Sequence, residues 1–126
     1  MYQVFYYICI VIINQLKLIA MEKDNFVTEV VFRKFKDGEV IALFPYNVET
    51  YNGDIVSYMH VGQHDCADYN HVVNKTKLIT NPEEYKDLKN ELENNMGYVL
   101  KVIRKRNYDK FFKEYCILRK KYESLS

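Results

Sequence analysis

Apolar residues dominate two short runs that flank Asp37 and Gly38. The first run, Thr28–Phe35, reads TEVVFRKF, and the second, Glu39–Phe44, reads EVIALF. β-Branched and aromatic side chains of this kind favour strands, and Asp-Gly between two strands is typical of a hairpin with a two-residue type I′ turn. We therefore predict a β-hairpin that ends at Pro45, since proline cannot donate a hydrogen bond to a neighbouring strand.

The predicted turn fixes which residues of the two strands face each other. A two-residue turn pairs Phe35 with Val40 and Phe32 with Leu43. Both faces of the hairpin then carry mainly apolar side chains. Because a strand with one face in water would alternate apolar and polar residues, we expect this hairpin inside the sheet, covered on both sides.

Weaker patterns predict two further strands and the start of a helix. Ile55–Val61 reads as a third strand, and Val72–Ile79 as a short edge strand, with the polar stretch 62–70 between them expected to be irregular. Asn81 followed by Pro82 is typical of a helix start, because asparagine caps free backbone N–H groups and proline suits the first turn. An apolar stripe at helical spacing follows: Tyr85, Leu88, Leu92 and Met96, ending at Gly97.

The last third of the chain predicts a strand at Tyr98–Ile103 and a second helix to about Tyr122. The resulting order β-β-β-(β)-α-β-α indicates an α+β fold, with a small antiparallel or mixed sheet of four to five strands and two helices packed on it. Residues 21–126 form one domain on this interpretation. The stripe expected to face the sheet consists of Tyr108, Phe111, Phe112, Tyr115, Leu118 and Tyr122.

Residues 1–20 form an apolar leader for which three interpretations stay open. The run Val4–Ile13 is shorter than the roughly 20 residues that a membrane span needs. It also lacks the basic residue that precedes the apolar run of a secretory signal. The leader is then an extended gene start ahead of Met21, an added strand or helix, or a membrane segment or signal. If Met21 is the true start, no membrane association is expected.

The net charge of +1 hides an uneven distribution along the chain. Residues 97–126 carry nine Lys or Arg against three Asp or Glu, a charge of +6, whereas residues 1–96 carry −5. Such asymmetry indicates either an anionic partner for the tail or a tail that docks on the acidic part of its own domain. Tyrosines between the basic residues suit stacking on single-stranded nucleic acid. The candidate residues for binding nucleic acid or a partner protein are Arg104, Lys105, Arg106, Lys110 and Lys113.

All three histidines lie in one short segment, 58–71, which also contains Cys66. His60, His64 and Cys66 are candidate metal ligands, and zinc is the ion that imidazole and thiolate would take. A Cys66 nucleophile with a histidine base is the catalytic alternative. A strand end and turn, in which Gly, Asp, Asn and His are common, explains the same composition without a cofactor, and no catalytic residue is assigned.

Several function classes are excluded by the motifs that the sequence lacks. The four glycines, at 38, 53, 62 and 97, never cluster, which excludes a P-loop and a dinucleotide-binding fingerprint. Neither GxSxG nor HExxH occurs, and no small-molecule substrate can be identified. The cysteines stand far apart with no CxxC pair, as is typical of a reducing, cytoplasmic protein.

Three segments resemble a group of short uncharacterised proteins of Bacteroidales and their phages. They read VVFRKFKDGEVIALFP (30–45), YMHVGQHDCAD (58–68) and NPEEYKDLKNELENNMGYVLKVIRKR (81–106). The resemblance implies a bacterial or phage-infected cytoplasm and carries no activity, since no function is assigned to the group. Together with the charge pattern, it predicts a non-enzymatic, phage- or mobile-element-associated module that binds nucleic acid or a partner protein through its basic C-terminal region. The alternative is a metal-binding or thiol enzyme that uses the histidine segment.

Overall fold

The computed structural model describes residues 27–60 and 64–125. The apolar leader, residues 1–20, and the predicted strand end at Val61 lie outside these ranges. The strands are β1 (Val27–Lys34), β2 (Val40–Val48), β3 (Ile55–Tyr58), β4 (His64–Ala67), β5 (Lys77–Leu78) and β6 (Val99–Val102). The helices are α1 (Tyr69–Lys75), α2 (Lys86–Asn90) and α3 (Tyr108–Ser124), with a 3₁₀ turn at Pro82–Glu84 before α2 and a π-helical turn at Glu91–Asn95 after it.

The described strands form one open, mixed sheet with the order β4-β3-β2-β1-β5. All neighbours on this path are antiparallel. β6 runs parallel to β1 and pairs with its first half, from Val27 opposite Val99 to Val30 opposite Val102. β5 pairs with the end of β1, so both short strands lie along the same edge of β1. The predicted α+β class with a mixed sheet is confirmed, with one strand and one helix more than the pattern indicated.

The β1–β2 hairpin lies at the centre of the sheet and is covered on both faces, as predicted. Val30, Phe32, Ala42 and Phe44 contribute to one core cluster, which also contains residues of the segment 82–95. The other face packs against α1 and α3 in a second cluster, formed by Val31, Ile41, Leu43, Ile55, Tyr69, Val72 and Phe111. The sheet therefore separates two apolar layers, and each layer is closed by helical segments.

The predicted pairing of the hairpin is wrong by one residue. Phe32 faces Ala42, because the connection is a three-residue loop in which the N–H of Phe35 donates to the carbonyl of Glu39 at 2.8 Å. Gly38 has φ +94°, the left-handed residue that follows a type I turn in loops of this length. A shift of one residue moves every side chain of a strand to the other face. Accordingly, the side chains of β2 lie on the faces opposite to those expected.

Three other predicted elements are corrected by the structure. β2 continues through Pro45 to Val48, although regular pairing with β3 is interrupted between Phe44 and Val48. The stretch expected to be irregular contains β4 and the start of α1. The edge strand predicted at Val72–Ile79 is confirmed only at Lys77–Leu78, which is β5 and pairs with β1. The first half of that range is the end of α1, since Asp68 accepts hydrogen bonds from two backbone N–H groups and caps a helix there.

The helical segment that begins at Asn81 follows the prediction closely. The side chain of Asn81 accepts a hydrogen bond from the N–H of Glu83 at 3.1 Å. Tyr85, Leu88 and Leu92 are buried, whereas Met96 is exposed because the helix ends there in a π-helical turn. Stacking of Tyr85 on Phe32, with ring centroids 4.3 Å apart, ties this segment to the centre of the sheet.

None of the helices in the described ranges combines the length and the apolar character that crossing a bilayer requires.

Replacing Gly38 tests the three-residue loop. The space around its Cα is open, so a new side chain would meet no atom within 4 Å and any cost is conformational. We expect Gly38→Val to lower the free energy of unfolding by about 1–2 kcal/mol, and Gly38→Asn to lower it less, because asparagine tolerates positive φ. Urea unfolding followed by circular dichroism measures the difference. Equal stability of the valine variant and the wild type would contradict the loop conformation.

Candidate nucleic-acid interface

α3 docks on the sheet through few apolar contacts. Phe111 is the one buried residue of the helix, whereas Tyr108, Phe112 and Tyr122 of the predicted stripe are exposed. The helix begins at Asn107, whose side chain accepts a hydrogen bond from the N–H of Lys110 at 3.2 Å. With so little apolar burial, other contacts must hold α3 in place, and basic side chains supply them.

Arg106 is the first of these contacts. Its guanidinium lies between two rings, 4.2 Å from the centroid of Tyr69 and 3.9 Å from that of Phe111. The backbone N–H of Arg106 also donates to the Tyr69 hydroxyl at 2.9 Å. Burial lowers the pKa of Arg106, but a guanidinium remains charged at neutral pH. Arg106 therefore joins α1 to the start of α3 and carries a fixed positive charge.

Lys110 and Arg119 hold the helix further along. Lys110 forms an ion pair with Glu29 of β1 and lies 4.5 Å from the centroid of the Tyr46 ring. Arg119 donates to the Tyr51 hydroxyl at 2.8 Å, and this hydrogen bond raises the pKa of Arg119. The contacts of Lys110 and Arg119 agree with the second interpretation of the basic C-terminal region, in which this region docks on its own domain.

The five predicted binding residues thus divide into two groups. Arg106 and Lys110 make internal contacts, whereas Arg104, Lys105 and Lys113 are exposed. Within residues 27–60 and 64–125, no hydrogen bond, ion pair or ring contact involves the side chains of these three. Their charges are available to a ligand.

Arg104, Lys105 and Arg106 line one groove of about 510 Å³ between α1, β5 and the start of α3. Its apolar lining consists of Tyr69, Val73 and Leu78, and the exposed ring of Tyr108 stands at its side. No carboxylate is among the lining residues, which are Arg33, Tyr69, Asn70, Val73, Leu78, Arg104, Lys105, Arg106 and Tyr108. The groove therefore combines an apolar floor with an excess of positive charge. Lys110 and Lys113 do not line it.

Sequence reasoning missed the part of the groove that lies outside the basic segment. Arg33 projects from β1, where its guanidinium donates to Thr76 Oγ1 at 2.7 Å and to the carbonyls of Val73 and Thr76. These bonds fix the charge of Arg33 beside α1. A single arginine inside a strand carries no sequence signal for binding, because only the packing of α1 against β1 brings it to the groove.

The structure does not assemble a metal site from His60, His64 and Cys66. His64 and Cys66 are alternate residues of β4 and share a face, but His60 lies in the turn after β3 and is exposed. The Nε2 atom of His64 lies 3.2 Å from the Tyr98 hydroxyl, so this histidine contacts the residue that precedes β6 and not the other two candidate ligands. Among the residues described, no group of three or more His, Cys, Asp or Glu side chains has a metal-binding arrangement.

Cys66 lacks the environment of an activated thiol. Desolvation raises its pKa, and the carboxylates of Glu49, Asp65 and Asp54 raise it further. A catalytic cysteine instead needs a lowered pKa, from a cation or a histidine base beside it. The electrostatics of this strand therefore disfavour the thiol-enzyme alternative.

No protein-family model, curated protein or solved structure matches this chain. Its function must therefore be argued from the groove itself, since a fold class alone does not determine function.

The role of Arg106 is tested by comparing it with its exposed neighbour. We expect Arg106→Ala to lower the free energy of unfolding by about 1–3 kcal/mol, because two ring contacts and their packing are lost. Arg106→Lys should restore only part of this, since an ammonium cannot stack as a planar group does. Arg104→Ala is the control and should remain within about 0.5 kcal/mol of the wild type. Equal urea unfolding curves for the two alanine variants would show that Arg106 does not anchor α3.

The reactivity of Cys66 tests the thiol alternative. In a Cys9→Ser, Cys116→Ser background, we expect the rate of alkylation by iodoacetamide to rise with pH through an apparent pKa above the ordinary thiol value of about 8.5. The raised pKa leaves less thiolate at neutral pH, so the folded protein should react more slowly than the same protein in urea. An inflection below about pH 7.5 would instead indicate an activated nucleophile.

Proposed function

We propose that this protein is a non-enzymatic module that binds single-stranded nucleic acid in the groove between α1 and α3. The observation that carries the proposal is the groove's lining, in which four cationic residues surround an apolar floor without a carboxylate among them. The resemblance to phage-encoded proteins supports a bacterial or phage-infected cytoplasm as its setting.

The charges of the groove suit phosphate groups. Arg104 and Lys105 are exposed, whereas Arg33 and Arg106 are held in place and contribute a fixed positive potential. Phosphate binding by such residues releases counterions, so affinity falls as salt rises. The start of α3 adds to the potential, because the N-terminus of a helix carries a partial positive charge.

The apolar part of the groove suits unpaired bases. Tyr108 is 62% exposed and lies at the groove, where its ring is accessible for stacking. Val73 and Leu78 contribute apolar surface to the floor, whereas the buried Tyr69 ring is covered by the Arg106 guanidinium. Stacking on aromatic side chains is tolerant of sequence and requires bases that are not paired within a duplex. The combination therefore favours a single strand, with little discrimination between sequences.

Charge reversal at the groove tests the proposal. The ligand is a fluorescently labelled oligothymidylate of about 12 nucleotides, and fluorescence anisotropy measures its affinity for the full chain at low and moderate salt. We expect Arg104→Glu, Lys105→Glu to weaken binding on the order of tenfold or more at low salt and to reduce the salt dependence. Arg106 is left unchanged because its replacement would also disturb α3.

The matched control is Lys120→Glu, Lys121→Glu, which changes the net charge equally at roughly 20 Å along α3 from the groove. This variant should bind nearly as the wild type does. Absence of binding by the wild type at low salt would overturn the proposal and favour a protein partner. Equal affinity for thymidine monophosphate and for the oligonucleotide would also contradict it, since a groove for a strand gains from successive contacts.

A further inference from the structure

A second basic cavity lies at the other end of α1. It has a volume of about 390 Å³ and is lined by Lys34, Phe35, Lys36, Asn74, Lys75, Thr76 and Lys77. These residues come from the end of β1 and its loop, the end of α1, and the start of β5. We call this cavity the lysine pocket. Four lysines converge on it from separate segments, and no carboxylate is among its lining residues.

Most of this charge is unneutralised within the domain. Lys34 forms an ion pair with Glu84 at 2.6 Å. Lys36, Lys75 and Lys77 are exposed, and among the described residues no ion pair or hydrogen bond involves their ammonium groups. One carboxylate, that of Asp37, lines the cavity adjoining the pocket together with Lys36 and Lys75, and it accepts the backbone N–H of Glu39 at 2.9 Å. The lysines outnumber it, so the net charge around the pocket is positive. Cations that line one concave surface reinforce each other's potential, so the pocket favours an anion.

The lysine pocket and the groove follow one another along α1. Tyr69, Asn70 and Val73 of α1 line the groove, whereas Asn74 and Lys75 at its end line the pocket. A helix of this length extends for about 10 Å, since each residue adds about 1.5 Å. A stacked strand rises by about 3.4 Å along its axis for each nucleotide, so the length of α1 corresponds to roughly three nucleotides of axial rise.

We infer that the lysine pocket binds the phosphates of the same strand whose bases occupy the groove, so that a single strand runs along α1. This inference rests on the proposed function and extends it, because it defines a path and a second set of contacts. Single-stranded nucleic acid is the ligand that satisfies both sites. Its phosphates suit the lysines, and its unpaired bases suit the apolar floor beside Tyr108.

Salt dependence distinguishes a second set of phosphate contacts from a general effect of charge. The variant is Lys36→Ala, Lys75→Ala, Lys77→Ala, and the probe is the same labelled oligothymidylate. Each phosphate contact on a single strand contributes about 0.7 to the slope of log affinity against log salt. We expect the triple variant to reduce the magnitude of this slope by about 2 and to weaken binding at low salt.

The matched control is Lys86→Ala, Lys120→Ala, Lys121→Ala, which removes the same charge from exposed lysines that line neither site. Circular dichroism and urea unfolding verify that all variants are folded. If the wild type binds and the lysine-pocket variant has the slope of the control, the inference is wrong while the proposed function stands. If the wild type does not bind at low salt, both fail. A reduced slope in the lysine-pocket variant alone establishes the path along α1.

Discussion

The register of the β1–β2 hairpin is the constraint on which the rest of the structure depends. Both faces of the hairpin are buried, with Phe32, Val31, Leu43 and Phe44 at most 1% exposed. Because the side-chain period of a strand is two, one residue of slippage would exchange the two faces of β2 and mismatch both core layers at once. The three-residue loop that ends at Gly38 selects the register, and the helical segments on either face then have defined surfaces to cover.

The face closed by α1 and α3 is held by a different kind of contact. Cationic side chains of α3 and of the loop before it form cation–π contacts with tyrosines elsewhere in the domain. Arg106 lies over Tyr69, Lys110 over Tyr46, and Arg119 over Tyr51. Tyrosine suits this role because its ring packs while its hydroxyl can bond to backbone groups at the surface. These three tyrosines therefore have a structural role. It also explains why a helix with one buried residue stays docked.

The same contacts divide the basic segment into charges that stabilise the fold and charges that face outward. From the sequence alone, Arg104, Lys105 and Arg106 are equally good candidates for binding a ligand, since they are adjacent and chemically alike. In the fold, Arg106 points between two rings while its two predecessors remain exposed at the groove. The groove also contains Arg33, and the lysine pocket contains Lys36, Lys75 and Lys77. These four residues lie within residues 1–96, whose overall charge is negative. Summing charge along the sequence hides these cations, because the acidic residues that offset them in the sum are spread over the first 96 residues.

The sequence by itself determined the elements with strong local signals. The apolar runs around Asp37 and Gly38 specified a central hairpin, and Asn81 with Pro82 specified a helix start, because turn and cap preferences act within a few residues. Tertiary structure decided the register, since Asp37 and Gly38 are compatible with both a two-residue and a three-residue loop, and the loop that forms is the one whose register lets both faces pack. It also decided that the segment around Val72 is a helix and that cations distant in sequence surround α1. Those outcomes depend on contacts between segments, which no local pattern encodes.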